Sequence, residues 1–132
     1  MSSPVARQGD PVQGLDNHVL LVPSPAGAPV PTPTQLPFAG VLRDGLSGDV
    51  KVEGRYAALV GSVAPNQPAH VIPPNVQFAV PPANRGTVVR GSATVLVNGK
   101  ALARAGDPVL TCSESPAPTG TIAGGSATVL AG

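Results

Sequence analysis

Arg90-Gly91-Ser92-Ala93-Thr94-Val95-Leu96-Val97-Asn98-Gly99-Lys100-Ala101-Leu102-Ala103-Arg104-Ala105-Gly106-Asp107-Pro108-Val109 decides how this chain is read. It reads as a strand, a tight turn, a second strand and a second turn. Asn98-Gly99 is a strong hairpin signal, because both turn positions need positive φ and these two residues tolerate it. Gly106-Asp107-Pro108 then ends the second strand: glycine supplies positive φ, and the aspartate can bond its own turn.

Weaker copies of this unit lie elsewhere in the chain. A shift of 45 residues lays Val50, Val52, Gly54, Ala58 and Gly61 on Val95, Val97, Gly99, Ala103 and Gly106. Ala6-Arg7-Gln8-Gly9-Asp10-Pro11-Val12 matches the stretch from Ala103 to Val109 at six of seven positions. Gly125 to Leu130 repeats Gly91 to Leu96 residue for residue. The C-terminal stretch is therefore the first half of a unit and the N-terminal stretch the second half. The expectation is a single all-β domain over residues 1–132, made of three hairpin-like units around a pseudo-threefold axis. The third unit closes where the two ends of the chain meet. Closure hides sheet edges and ties down segments that would otherwise fray.

Composition agrees with that expectation. The 132 residues suffice for one small domain with a modest core. With 16 glycines and 17 prolines there is little room for helix, and no window shows a 3.6-residue period. A hydrophobic content of 42% against 11% charged residues separates the chain from disordered sequences, which invert that balance. No Trp, one Tyr and two Phe restrict the core to narrow layers of Val, Ala and Leu.

A net charge of +1 without a basic run gives no electrostatic footprint for nucleic acid. No apolar run is long enough to span a bilayer, so stable membrane insertion is not expected. Met1 to Arg7 lacks the apolar segment of a signal peptide, which implies synthesis and assembly in the cytoplasm and any later export by a non-classical route. Two Pro-rich insertions, at about 23–37 and 73–84, read as extended surface loops or as docking segments for a partner.

The residues with chemistry are few. His18 and His70 are the only histidines and Cys112 the only cysteine, which excludes an intrachain disulfide. His18 lies nine residues after Gly9, His70 nine after Gly61, and Cys112 six after Gly106. Each unit thus contributes one candidate ligand after its turn, and a threefold arrangement brings the three to one point. Imidazole and thiolate suit Zn²⁺, and a small domain with few large apolar side chains gains from a metal cross-link. Asp16, Glu114 and water are candidates for a fourth ligand.

Gly9-Asp10, Gly61-Ser62 and Gly106-Asp107 read as turn chemistry rather than catalysis. Arg7 and Arg104 read as braces for a nearby carboxylate or carbonyl. A Cys112 nucleophile with His18 or His70 as base has no Gly-rich nucleophile motif around it. A zinc hydrolase would need a cleft and a general base that nothing in the sequence marks. No enzyme activity is expected.

The motif series Pro4-Val5-Ala6-Arg7, Tyr56-Ala57-Ala58-Leu59 and Ala101-Leu102-Ala103-Arg104 resembles the PAAR-repeat family, as do Gly91 to Lys100 and Gly106-Asp107. The resemblance implies a conical, three-sided β domain with a zinc ion near its point. It implies a tip that caps the trimeric β-helical spike of a contractile injection system, such as type VI secretion, an extracellular injection particle or a phage-like tail. The point would lead penetration of the target envelope, making the protein part of an exported or extracellular particle on firing. An adaptor that attaches effector cargo to the spike is the alternative, with the Pro-rich insertions as its contacts. With no further domain read beside the repeats, a bare tip is expected rather than one fused to a toxin. Two departures stand out: family zinc sites commonly use three histidines and a cysteine, and the middle unit carries Leu59 and Ser62 in place of Arg and Asp.

Overall fold

Short paired strands separated by tight turns make up the computed structural model, which describes residues 2–67, 69–113 and 118–132 and has no helix among them. The strands in chain order are β1 (Ser3–Pro4), β2 (Pro11–Val22), β3 (Val30–Val41), β4 (Lys51–Val52), β5 (Arg55–Tyr56), β6 (Val63–Pro65) and β7 (Gln77–Phe78). They continue with β8 (Arg85–Val88), β9 (Leu96–Val97), β10 (Lys100–Ala101), β11 (Pro108–Leu110), β12 (Gly120–Ile122) and β13 (Leu130–Ala131).

Three two-stranded pairs correspond to the three repeated units: β4 with β5, β9 with β10, and β13 with β1. In the first two, the connecting residues both have positive φ, 53° and 81° at Glu53-Gly54 and 53° and 79° at Asn98-Gly99, the type I′ geometry that matches strand twist. In the third, Ala131 pairs with Ser3, so the ends of the chain are held together as expected. Each hairpin end grips the next unit. Glu53 accepts hydrogen bonds from Ser126 Oγ (2.5 Å) and Thr128 Oγ1 (2.8 Å). Asn98 bonds Ser47 Oγ (2.6 Å) and Asp49 Oδ1 (2.9 Å). The Gly132 carbonyl accepts from the hydroxyls of Ser92 and Thr94.

The units also share a ring of backbone bonds. Ala6 N–H donates to the Ala103 carbonyl (2.9 Å), Ala103 N–H to Ala58 (2.9 Å), and Ala58 N–H to Ala6 (3.0 Å). All three alanines are fully buried. After each one the chain makes the same turn: the backbone N–H of Arg7, Leu59 and Arg104 donates to Asp10 Oδ2 (2.7 Å), Ser62 Oγ (2.9 Å) and Asp107 Oδ2 (2.7 Å). Arg7 and Arg104 then fold back onto Asp10 and Asp107, as braces. The expected turn chemistry is present in all three units, and Ser62 performs it without the arginine.

The remaining strands form an antiparallel sheet in the order β3-β2-β12-β11-β8-β6, with β7 pairing the far end of β2. The sheet curls until β3 reaches the chain just beyond β6: Gly40 bridges Asn66, and Gln67 N–H donates to the Ala39 carbonyl (2.8 Å). The approach needs glycine, since a Cβ at position 40 would lie 2.1 Å from the Pro65 carbonyl oxygen. One buried cluster joins Val12, Phe38, Val88, Val109 and Ile122 of the sheet to the ring alanines. A second, containing Val5, Val52, Ala57, Leu59, Leu102 and Ala131, lies among the hairpins.

The Pro-rich stretches differ in part from a loop reading. Residues 30–37 belong to β3, which pairs with β2 over twelve consecutive positions. Pro31, Pro33 and Pro37 share one parity on this strand. That parity turns its amides away from β2, as Ala39 does when its N–H donates to Asn66 Oδ1 (3.1 Å). Missing N–H groups therefore cost the ladder nothing. In the second stretch, Gln77–Phe78 forms β7.

Candidate metal centre

Side chains of β2 alternate inward at Val12, Asp16, His18 and Leu20, all buried. This inward row passes from the apolar core to a carboxylate and an imidazole, then back to an aliphatic residue. Along the same edge of β2, β12 covers residues 12–14 and β7 covers 20–21. Between them the edge has no strand partner among the described residues, and there Ser113 Oγ accepts the Asn17 N–H (3.0 Å). Into this gap come Cys112, just past the end of β11, and His70, from the loop between β6 and β7.

One donor atom from each of Asp16, His18, His70 and Cys112 lies within 4.8 Å of the others. His70 Nε2 is 2.8 Å and Cys112 Sγ 3.0 Å from Asp16 Oδ2, and they are 3.4 Å from each other. His18 Nε2 is 4.0 Å from the same oxygen. The His18 ring stands edge-on between those of His70 and Phe78, at centroid distances of 4.9 and 5.4 Å. The three residues singled out by spacing are thus brought together, and Asp16 joins them. Glu114 lies outside the described residues.

Neighbouring polar groups hold the donors in place. Asp16 Oδ1 accepts from Thr111 and from Ser113 Oγ (3.3 Å). His70 Nδ1 lies 3.2 Å from Asn66 Nδ2, and its backbone N–H donates to Asn84 Oδ1 (3.0 Å). Thr111, Ser113, Asn66 and Asn84 carry no signal in the sequence. Only the adjacency of Thr111 and Ser113 to Cys112 could have drawn attention to the first two.

Burial pushes the Asp16 carboxyl up, but hydrogen bonds from Cys112, Thr111 and His70 outweigh it and hold the group below the usual carboxylate range. Burial, and then the bond to Asp16, push the Cys112 thiol up to about 12. A thiol so placed is a poor nucleophile without a cation beside it. The same His70 nitrogen, Nε2, faces both Asp16 and Cys112, so the three do not form a relay in which the carboxylate orients the opposite ring nitrogen.

Two imidazoles, a thiol and a carboxylate, buried and convergent, form a donor set that fits a divalent cation such as zinc. Tetrahedral bonds of the usual length place donor atoms about 3.3–3.7 Å apart. The separations seen, from 2.8 Å up to no more than 4.8 Å, bracket that range. A cavity of ≈ 220 Å³, lined by His18, Cys112 and the Val80–Ala83 segment among others, reaches the group from outside.

Residues 79–132 match a known protein family, described as PAAR motif. That part of the chain carries a PAAR motif. The motif supports kinship with the PAAR-type spike-tip proteins. The PAAR match covers β8 to β13 and Cys112, while Asp16, His18 and His70 lie before it. Neither a curated protein nor a solved structure matches the chain.

Proposed function

We propose that this chain caps the end of a trimeric β-helical spike, one copy per three spike chains, and leads that spike into a target envelope. The observation that carries the reading is the threefold recurrence of its bonds: the alanine ring, the Asp10, Ser62 and Asp107 turns, and the interlocked hairpin ends. A single chain with three alike faces can meet three identical chains without a symmetry mismatch. A zinc ion held by His18, His70 and Cys112 would tie β2, the loop before β7 and the end of β11 together. Metal binding to a preformed site adds its binding free energy to the folded state. Such a tip would be assembled in the cytoplasm and carried outward with the particle.

Mixing the purified chain with a trimeric β-helical spike protein from the same source tests the assembly. Native mass spectrometry should give one tip per trimer; two separate species at micromolar concentration would overturn it. Elemental analysis should give one zinc per chain, and His18→Ala with Cys112→Ala should lose it. Metal-free protein whose melting is unchanged by added zinc would remove the metal part.

A further inference from the structure

Three of the four convergent side chains are oriented around the fourth. Asp16 is wholly buried and its two oxygens are divided between two sets of partners. Oδ1 is taken by hydroxyls, those of Thr111 and Ser113. Oδ2 faces His70 Nε2, Cys112 Sγ and, farther off, His18 Nε2. A carboxylate so divided has one oxygen left to offer a cation. Charge favours that role: a divalent ion with one carboxylate, one thiolate and two neutral imidazoles is neutral overall. A neutral centre avoids most of the cost of burying net charge.

The same oxygen has work when no ion is bound. The Asn66 side-chain oxygen accepts the Ala39 N–H, which leaves its Nδ2 toward His70 Nδ1. Nδ1 is then the acceptor and Nε2 carries the proton. Nε2–H and the Cys112 S–H both point at Asp16 Oδ2. A set of three neutral imidazoles and a thiol would offer only uncharged acceptors, so its N–H and S–H groups would lose the charge-assisted bond that the carboxylate gives them.

We propose that Asp16 is the fourth ligand, through Oδ2 alone, and that this oxygen also holds His70 and Cys112 together in the metal-free protein. The first half rests on the zinc reading above; the second does not.

Asp16→Asn and Asp16→His separate the two halves. Zinc affinity is read by competition with a chromogenic chelator, and melting is followed with and without zinc. Asp16→Asn should weaken zinc binding by more than the roughly 10–100-fold that an outer contact carries. Its zinc-free form should melt below zinc-free wild type. Asp16→His should keep zinc but lose stability without it, so that zinc raises its melting temperature more than it raises that of wild type. Zinc binding by Asp16→Asn within tenfold of wild type would overturn the ligand role. Zinc-free variants that melt with wild type would overturn the scaffold role. If Asp16→Asn does not fold, the infrared difference spectrum of wild type on zinc loading decides ligation: a carboxylate band should move to the one-oxygen-bound pattern, and an unchanged band overturns it. Wild type that takes up no zinc overturns the zinc reading and the ligand role together, while the zinc-free melting comparison still decides the scaffold role.

Discussion

Ala6, Ala58 and Ala103 are joined through their backbones, whereas Asp16, His18, His70 and Cys112 meet only through side chains. The first contact can be made by any small residue whose main chain reaches the ring. Divergence around it is therefore tolerated, and the middle unit replaces Arg with Leu59 and Asp with Ser62 while the ring stays closed. The second contact has no backbone substitute. The donors come from three separate segments, β2, the loop before β7 and the end of β11, and their neighbours Thr111, Ser113, Asn66 and Asn84 are as specific as the donors. A repeated backbone device thus builds the body, and a single unrepeated set of side chains builds the site.

The sharpest way to break the ring is to crowd it. Ala58→Leu should cost about 3 kcal/mol by chemical denaturation, at the upper end of what overpacking a buried position does. Next is the support of the site. Thr111→Val removes a hydroxyl donor to the buried Asp16 carboxylate and should cost about 2 kcal/mol. A loss under a few tenths would show that Ser113 alone suffices. The turn braces should matter less. Arg104→Ala should cost about 1 kcal/mol or below, since the pair is partly exposed. Arg7→Ala should cost more than Arg104→Ala, because Arg7 also bonds Glu53 (2.6 Å) across to another unit.

Smallest is a pH effect at the same contact. The hydroxyls of Ser126 and then Thr128, with help from Arg7, hold the Glu53 carboxyl below its ordinary value. A carboxyl lowered on folding contributes stability above its unfolded pKa and loses it as pH falls through the folded pKa. Melting temperature should therefore drop on acidification below the normal glutamate range. Glu53→Gln should flatten that part of the profile, and an unchanged slope would show that the hairpin grip adds no pH dependence.

Hairpins were legible because their turns demand special residues. Asn98-Gly99 announced one hairpin, and the 45-residue shift carried it to Glu53-Gly54, where the turn residue alone would have been weak. The split third unit was readable because Gly125 to Leu130 copies Gly91 to Leu96. The long ladder of β2 and β3 was hidden, since proline content argues against a strand unless one knows that the strand lies at an edge. Convergence of His18, His70 and Cys112 followed from their place after each turn. The choice of Asp16 did not, because it depends on the side-chain parity of β2 and on a gap between two strands that pair with it elsewhere.

The three prolines of β3 have a consequence for crowding. A strand edge with free N–H groups can recruit a strand from any neighbouring molecule and start a fibre. Along residues 31–37 the outward positions that would do so are Pro31, Pro33, Gln35 and Pro37, and only Gln35 keeps an N–H. At high concentration, one of the two longest strands among the described residues is closed to self-addition by its own covalent chemistry.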